Sequence, residues 1–137
     1  MRIRDVMSKD VQVARPTDSL HEVAARMGAG DFGFIPVADG DKLVGAITDR
    51  DIAIRAVGAG LGPEATVSQA MSSTVTTVLD SDPLQAALDA MAAGKIRRLP
   101  VVDKHERLVG VVSLGDLSTR VKEKYAGETL ETISRPN

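Results

Sequence analysis

The chain contains no cysteine and no tryptophan. Without thiols there are no disulfides, no thiolate nucleophile and no zinc–thiolate site. Aromatic residues are nearly missing: Phe32, Phe34 and Tyr125 are all there are. A core must therefore be built from Val, Ile, Leu, Ala and Met. A surplus of positive charge is missing too. The formal net charge is −2, and no basic stripe interleaves with aromatics, so nothing electrostatic argues for a nucleic-acid partner. No apolar run reaches the length of a membrane span, and the opening MRIRDVMSKD lacks the apolar centre of a signal peptide. The expectation is a cytoplasmic protein without a membrane association.

What the chain does contain, it contains twice. Residues 3–57 and 67–122 align along their length. Met7 matches Met71, Leu20 matches Leu84, Met27 matches Met91 and Pro36 matches Pro100, each at an offset of 64. One extra residue in the second copy moves the offset to 65, pairing Gly45 with Gly110, Thr48 with Ser113 and Asp51 with Asp116. A unit of about 60 residues is marginal alone, because it buries only about 60% of the surface its unfolded chain exposes. The two copies are expected to pack together. The expected division is 1–62 for the first repeat with its leading segment, 63–126 for the second, and 127–137 for a tail.

Each copy has the same local pattern. Residues 11–14 (VQVA) and 75–78 (VTTV) read as short strands. Leu20, Val23, Ala24 and Met27 then recur at helical spacing, as do Leu84, Ala87, Leu88 and Met91. Asp18 and Asp82, or their neighbours Ser19 and Ser81, are candidate caps. Glycines end the helices, Gly28 and Gly30 in the first copy and Gly94 in the second. Two strands follow, Phe34–Ala38 with Leu43–Thr48 and Leu99–Asp103 with Leu108–Ser113. A last helix runs from about Asp49 to Val57 and from about Leu114 to Tyr125. The fold class is α+β, each unit strand–helix–strand–strand–helix. Gly58–Pro63 is glycine-rich, but it follows a helix and lacks Gly-Lys-Ser/Thr, so it reads as a linker and not a phosphate loop.

Two motifs carry polar chemistry. Thr48-x-x-Asp51 and Ser113-x-x-Asp116 stand where a strand gives way to a helix, which is the pattern of a helix capping box. A carboxylate is also an acceptor with two oxygens, suited to a pair of vicinal hydroxyls, and the two roles are compatible. The copies diverge just before the conserved-length Ile-Pro or Leu-Pro step: Arg97-Arg98 stand where the first copy has Gly33-Phe34. Arginine matches phosphate oxygens in a bidentate fork, and strand alternation leaves one of the pair facing a given cleft. His21 and His105 do not correspond and have no clustered ligands, so no metal site is expected. No Ser or Thr lies in a motif with His and an acid, so no catalytic residues are expected.

The segments Gly45-Ala-Ile-Thr48-Asp-Arg-Asp51 and Gly110-Val-Val-Ser113-Leu-Gly-Asp116, with Ile35-Pro36-Val37 and Leu99-Pro100-Val101, resemble the tandem cystathionine-β-synthase (CBS) domain pair. The resemblance covers about residues 3–122, and the chain is similar to the stand-alone CBS-pair proteins of bacteria. It implies two β-α-β-β-α repeats packed as a pseudo-two-fold pair. It also implies a non-catalytic regulatory or sensor module, with an adenosyl ligand such as AMP, ADP, ATP or S-adenosylmethionine in clefts between the repeats. No cofactor is required. The implied ribose ligands are Asp51 and Asp116 with Thr48 and Ser113. The implied base slot is Val13, Ile35 and Pro36 in one copy and Thr77, Leu99 and Pro100 in the other. Arg97 and Arg98 are the implied phosphate ligands. A homodimer and an unidentified protein target complete the expectation. The alternative is a structural dimerisation or protein-docking module that binds no nucleotide.

Overall fold

The computed structural model describes residues 1–120 and 122. The first repeat contains α1 (Leu20–Gly30), β1 (Phe34–Asp39), β2 (Lys42–Thr48) and a short α2 (Asp49–Asp51) that continues as a π-helix over Ile52–Val57. A connecting helix α3 (Val67–Ala70) leads into the second repeat, which has β3 (Val78–Leu79), α4 (Leu84–Gly94), β4 (Arg98–Val102), β5 (Leu108–Ser113) and α5 (residues 114–120). This is the α+β arrangement expected. The expected end of α5 near Tyr125 and the tail both lie outside the described residues.

The two antiparallel hairpins, β1–β2 and β4–β5, follow the predicted strands within a residue or two and share a register break one step after the Gly pair. The predicted leading strands differ. In the first repeat only Ala14 bridges Val37, whereas β3 pairs in parallel with β4 through Val78 and Leu79. One residue explains the difference. The Asp80 N–H donates to the Val102 carbonyl at 2.9 Å. Pro16 holds the corresponding position and has no N–H to make that rung.

Of the candidate caps, Ser19 is borne out and Asp18, Ser81 and Asp82 are not. Ser19 caps α1, its hydroxyl accepting from the Glu22 N–H at 3.1 Å. α4 begins after Pro83 without a side-chain cap. Asp18 and Asp82 instead close the preceding turns, accepting from the Arg15 and Leu79 N–H groups at 2.8 and 3.0 Å.

Pro36 and Pro100 are each the third residue of their strand. Pro36 pairs with Ala46, whose N–H and carbonyl both bond Ser72 on the far side. Pro100 pairs with Val111, which likewise bonds Ser8. The hairpin ladders ask no N–H of either proline, so its absence costs nothing there, while the Pro36 carbonyl accepts from the Ala14 N–H at 3.0 Å.

Those bonds to Ser72 and Ser8 belong to an exchange of segments. Residues before the first repeat pack on the second, and residues before the second pack on the first. The Ile3 and Arg4 N–H groups donate to the Asp82 and Asp80 carbonyls at 2.9 and 3.0 Å; Val67 and Ser68 donate to Asp18 and Pro16 at 2.8 and 3.0 Å. Ile3 and Val6 lie in the core of Met91, Leu99 and Val112, while Val67 and Ala70 lie in the core of Met27, Ile35 and Ile47. Each core is thus assembled from both halves of the chain. The pairing of Gly45 with Gly110 gains a physical reason. A Cβ on Gly45 would stand 2.6 Å from the Ser72 carbonyl oxygen, and one on Gly110 would stand 2.7 Å from that of Ser8. The hairpin loops also meet, Leu108 donating to the Asp41 carbonyl at 2.8 Å.

Candidate functional site

The exchange builds a cleft between the repeats. The leading segment returns from Ser8 along Asp10, Val11 and Gln12 and forms one wall of a cavity of about 330 Å³. Phe32, Phe34 and Pro36 of the first repeat line it, and so do Arg98, Ser113 and Asp116 of the second. A volume of that order lies at the lower end of ordinary small-molecule sites. Phe34, Arg98 and Ser113 also border a wider basin of about 720 Å³, which adds Arg97 and Thr48. Phe34 and Arg98 are counterparts at the offset of 64. The basin therefore lies where the two repeats face each other.

The capping boxes form in both repeats. The Asp51 N–H donates to the Thr48 Oγ1 and the Thr48 N–H donates to the Asp51 Oδ2, both at 3.0 Å. The Asp116 N–H donates to the Ser113 hydroxyl at 2.9 Å, and the Ser113 N–H donates to the Asp116 Oδ2 at 3.1 Å. These bonds fix each carboxylate by one oxygen. Among the described residues none of the hydrogen bonds engages Oδ1 of either aspartate, and both side chains stay half-exposed. A capping carboxylate thus keeps an acceptor oxygen for a ligand.

The predicted residues are distributed unevenly. Ser113, Asp116, Arg98 and Pro36 come together in the cleft. Thr48 and Arg97 face the basin. Arg98 borders both, so the two arginines share the basin although strand alternation was expected to leave only one facing a given cleft. Asp51 is held by its box with Thr48. The base-slot expectation needs correction. Ile35 and Leu99 are each 0% exposed, at the centres of the two cores, and offer a ligand no surface. Pro36, although it borders the cleft, is fully buried, as is Pro100. Val13 lies beside Arg15 and Pro16 in a separate depression, and Thr77 lies with Leu43 and Val102 in another.

The residues missed are the ones brought by the exchange, Ser8 to Gln12, together with Phe32 and Phe34. A signal for the phenylalanines was present, since a chain with three aromatics places two of them here. Among the described residues no three His, Asp or Glu side chains cluster to hold a metal.

The CBS domain family model matches residues 3–58 and again residues 67–123. The chain belongs to the CBS domain family. This CBS pair is 37% identical over 136 residues to the CBS domain-containing protein YhcV of Bacillus subtilis, covering 98% of this chain and 96% of that one. It is 33% identical over 135 residues to Hypoxic response protein 1 of Mycobacterium tuberculosis, covering 97% and 94%. A crystal structure of Hypoxic Response Protein I with two coordinated zinc ions superposes with a TM-score of 0.80, at 33% identity over 88% of this chain and 98% of that one. The CBS domain pair of protein MJ0100, in complex with 5′-methylthioadenosine and S-adenosyl-L-methionine, superposes with a TM-score of 0.76, at 30% identity over 90% and 98%.

Proposed function

We propose that this CBS pair is a non-catalytic regulatory module that binds an adenosyl ligand in the cleft bordered by Asp116. One observation carries the reading. A carboxylate with a spare oxygen, a guanidinium and two phenyl rings converge on one cleft that both repeats build. The adenosyl ligands of MJ0100, a relative at 30% identity, support it.

The ligand lies with its ribose hydroxyls on Asp116, which accepts from both. The base lies toward Val11 and Gln12, with Phe32 and Phe34 offering π-faces. The 5′ substituent leads toward Arg98 and Arg97 in the basin, where guanidinium forks meet phosphate or carboxylate oxygens. Neither His21 nor His105 borders the cleft. The proposal extends to a cytoplasmic homodimer that passes ligand occupancy to a protein target.

A thermal-shift panel of AMP, ADP, ATP, S-adenosylmethionine and 5′-methylthioadenosine tests the reading. A compound present at about 100 times its Kd adds about 2.7 kcal/mol to the folded state and raises Tm by several degrees. An unchanged Tm with every compound favours the docking module that binds no nucleotide.

A further inference from the structure

One pair of polar side chains at this cleft has no counterpart in the other repeat. Arg26, half-buried on α1, reaches back to the leading segment. Its Nε and Nη2 donate to the Gln12 Oε1 at 3.1 and 2.7 Å, and Nη2 also donates to the Val13 carbonyl at 3.0 Å. Asp18 stands 4.0 Å from the same guanidinium and steadies it. At the offset of 64, Gln12 corresponds to Thr76 and Arg26 to Ala90. The second repeat therefore cannot build this pair.

The chemistry of the pair fixes the polarity of the amide. A guanidinium only donates. The end of the Gln12 side chain that faces Arg26 must be its oxygen, and the NH₂ is the end left over. Gln12 borders the same cleft as Val11, Phe32 and Phe34. No hydrogen bond from its Nε2 occurs among the described residues, so both donors are available.

We propose that Gln12 is a specificity-determining residue for the base, its NH₂ donating to a ring-nitrogen acceptor of the bound purine, and that Arg26 is the residue that positions it. The proposal rests on the nucleoside reading of the Asp116 cleft. It makes the Asp116 cleft selective for a purine that presents an unprotonated ring nitrogen to Gln12, a selection that Thr76 cannot reproduce in the related position.

Replacing single ring nitrogens tests this directly. AMP and its 1-deaza, 3-deaza and 7-deaza analogues are titrated calorimetrically into the full chain and into Gln12→Glu. Glutamate keeps the acceptor for Arg26 but turns an acceptor toward the base. In the wild type one analogue binds about 2- to 13-fold more weakly than AMP, the value of one neutral hydrogen bond. In Gln12→Glu, AMP weakens and that analogue loses its disadvantage, so the ratio falls to about 1. Arg26→Met erodes the same ratio, because the amide is then free to turn over, and Arg26→Lys restores part of it. The same analogue-to-AMP ratios in wild type and Gln12→Glu overturn the role of Gln12. An unchanged ratio in Arg26→Met overturns the positioning role of Arg26. Binding of AMP lost in Asp116→Ala but equal in wild type and Gln12→Glu leaves the cleft reading intact and overturns this one. No heat with AMP in the wild type overturns both.

Discussion

Gly110 leaves room for the backbone of Ser8 and for nothing larger. A Cβ at Gly110 would stand 2.7 Å from the Ser8 carbonyl oxygen and 2.8 Å from the Met7 sulfur. The bonds between Ser8 and Val111, at 2.9 and 3.0 Å, hold the leading segment at this distance. Gly110→Ala must push that segment off β5, and overpacking of this kind costs about 1–3 kcal/mol. Because Ser8 to Gln12 wall the cleft, the same substitution weakens ligand binding. Gly45→Ala, which displaces Ser72, costs a similar stability and spares the Asp116 cleft. Urea denaturation and ligand titration of the two variants measure both effects. Equal binding losses in the two contradict the assignment of each segment to its cleft.

The exchanged segment is a structural element of the second core. Ile3 is fully buried beside Leu99 and Leu117. Ile3→Ala removes a large buried side chain and costs about 2–5 kcal/mol. The measurement is the urea midpoint. A loss below about 0.5 kcal/mol, the level of an ordinary surface substitution, contradicts the docking of residues 1–8.

The hairpin loop of the second repeat carries a pH dependence. The Asp103 Oδ1 accepts from the His105 and Arg107 N–H groups at 2.8 and 3.0 Å, and its Oδ2 accepts from the Arg107 Nε at 2.8 Å. Partial desolvation pushes this carboxyl up. The backbone bonds from Arg107 and His105, with the Arg107 side chain and its charge, outweigh that and hold it below the usual carboxylate range. A folded pKa below the unfolded one gives stability that is present above the unfolded value, about 3.9, and is lost as pH falls through the folded value. The wild type is therefore more stable than Asp103→Asn at neutral pH, and the gap narrows below about pH 4. Denaturation curves across that window read the gap, and one that stays constant contradicts the assignment.

The capping boxes separate stability from binding. Ser113→Ala removes the acceptor for the Asp116 N–H and costs about 0.5–2 kcal/mol, as does Thr48→Ala in the other repeat. Stability falls in both, but ligand affinity falls mainly in Ser113→Ala, since Ser113 borders the cleft. Parallel losses of affinity in both variants, measured by calorimetry, contradict a site centred on Asp116.

Much of this was legible in the chain, and the parts that were not have physical reasons. The duplication carried the α+β unit, because apolar spacing at Leu20 to Met27 and Leu84 to Met91 repeats with the hairpins behind it. The motif Ser113-x-x-Asp116 carried the box. Strand propensity could not show that residues 11–14 make a single bridge, since the decisive residue is Pro16, where β3 is followed by Asp80. Nor could spacing show which segment packs on which repeat. Met7 and Met71 look the same whether each serves its own copy or the other. That ambiguity hid the wall from Ser8 to Gln12. The base slot at Ile35 and Leu99 came from the resemblance, and the cores consume both residues.

The central claim is that the spare oxygen of Asp116 holds a ribose. Calorimetric titration of AMP into wild type, Asp51→Ala and Asp116→Ala tests it most directly. Both substitutions remove half of a capping box, so they share any stability cost. Asp116→Ala is predicted to lose about 10- to 150-fold in affinity, the value of a charged hydrogen-bonding group, while Asp51→Ala keeps the wild-type affinity for the Asp116 cleft. An Asp116→Ala protein that binds AMP as tightly as the wild type would contradict the account.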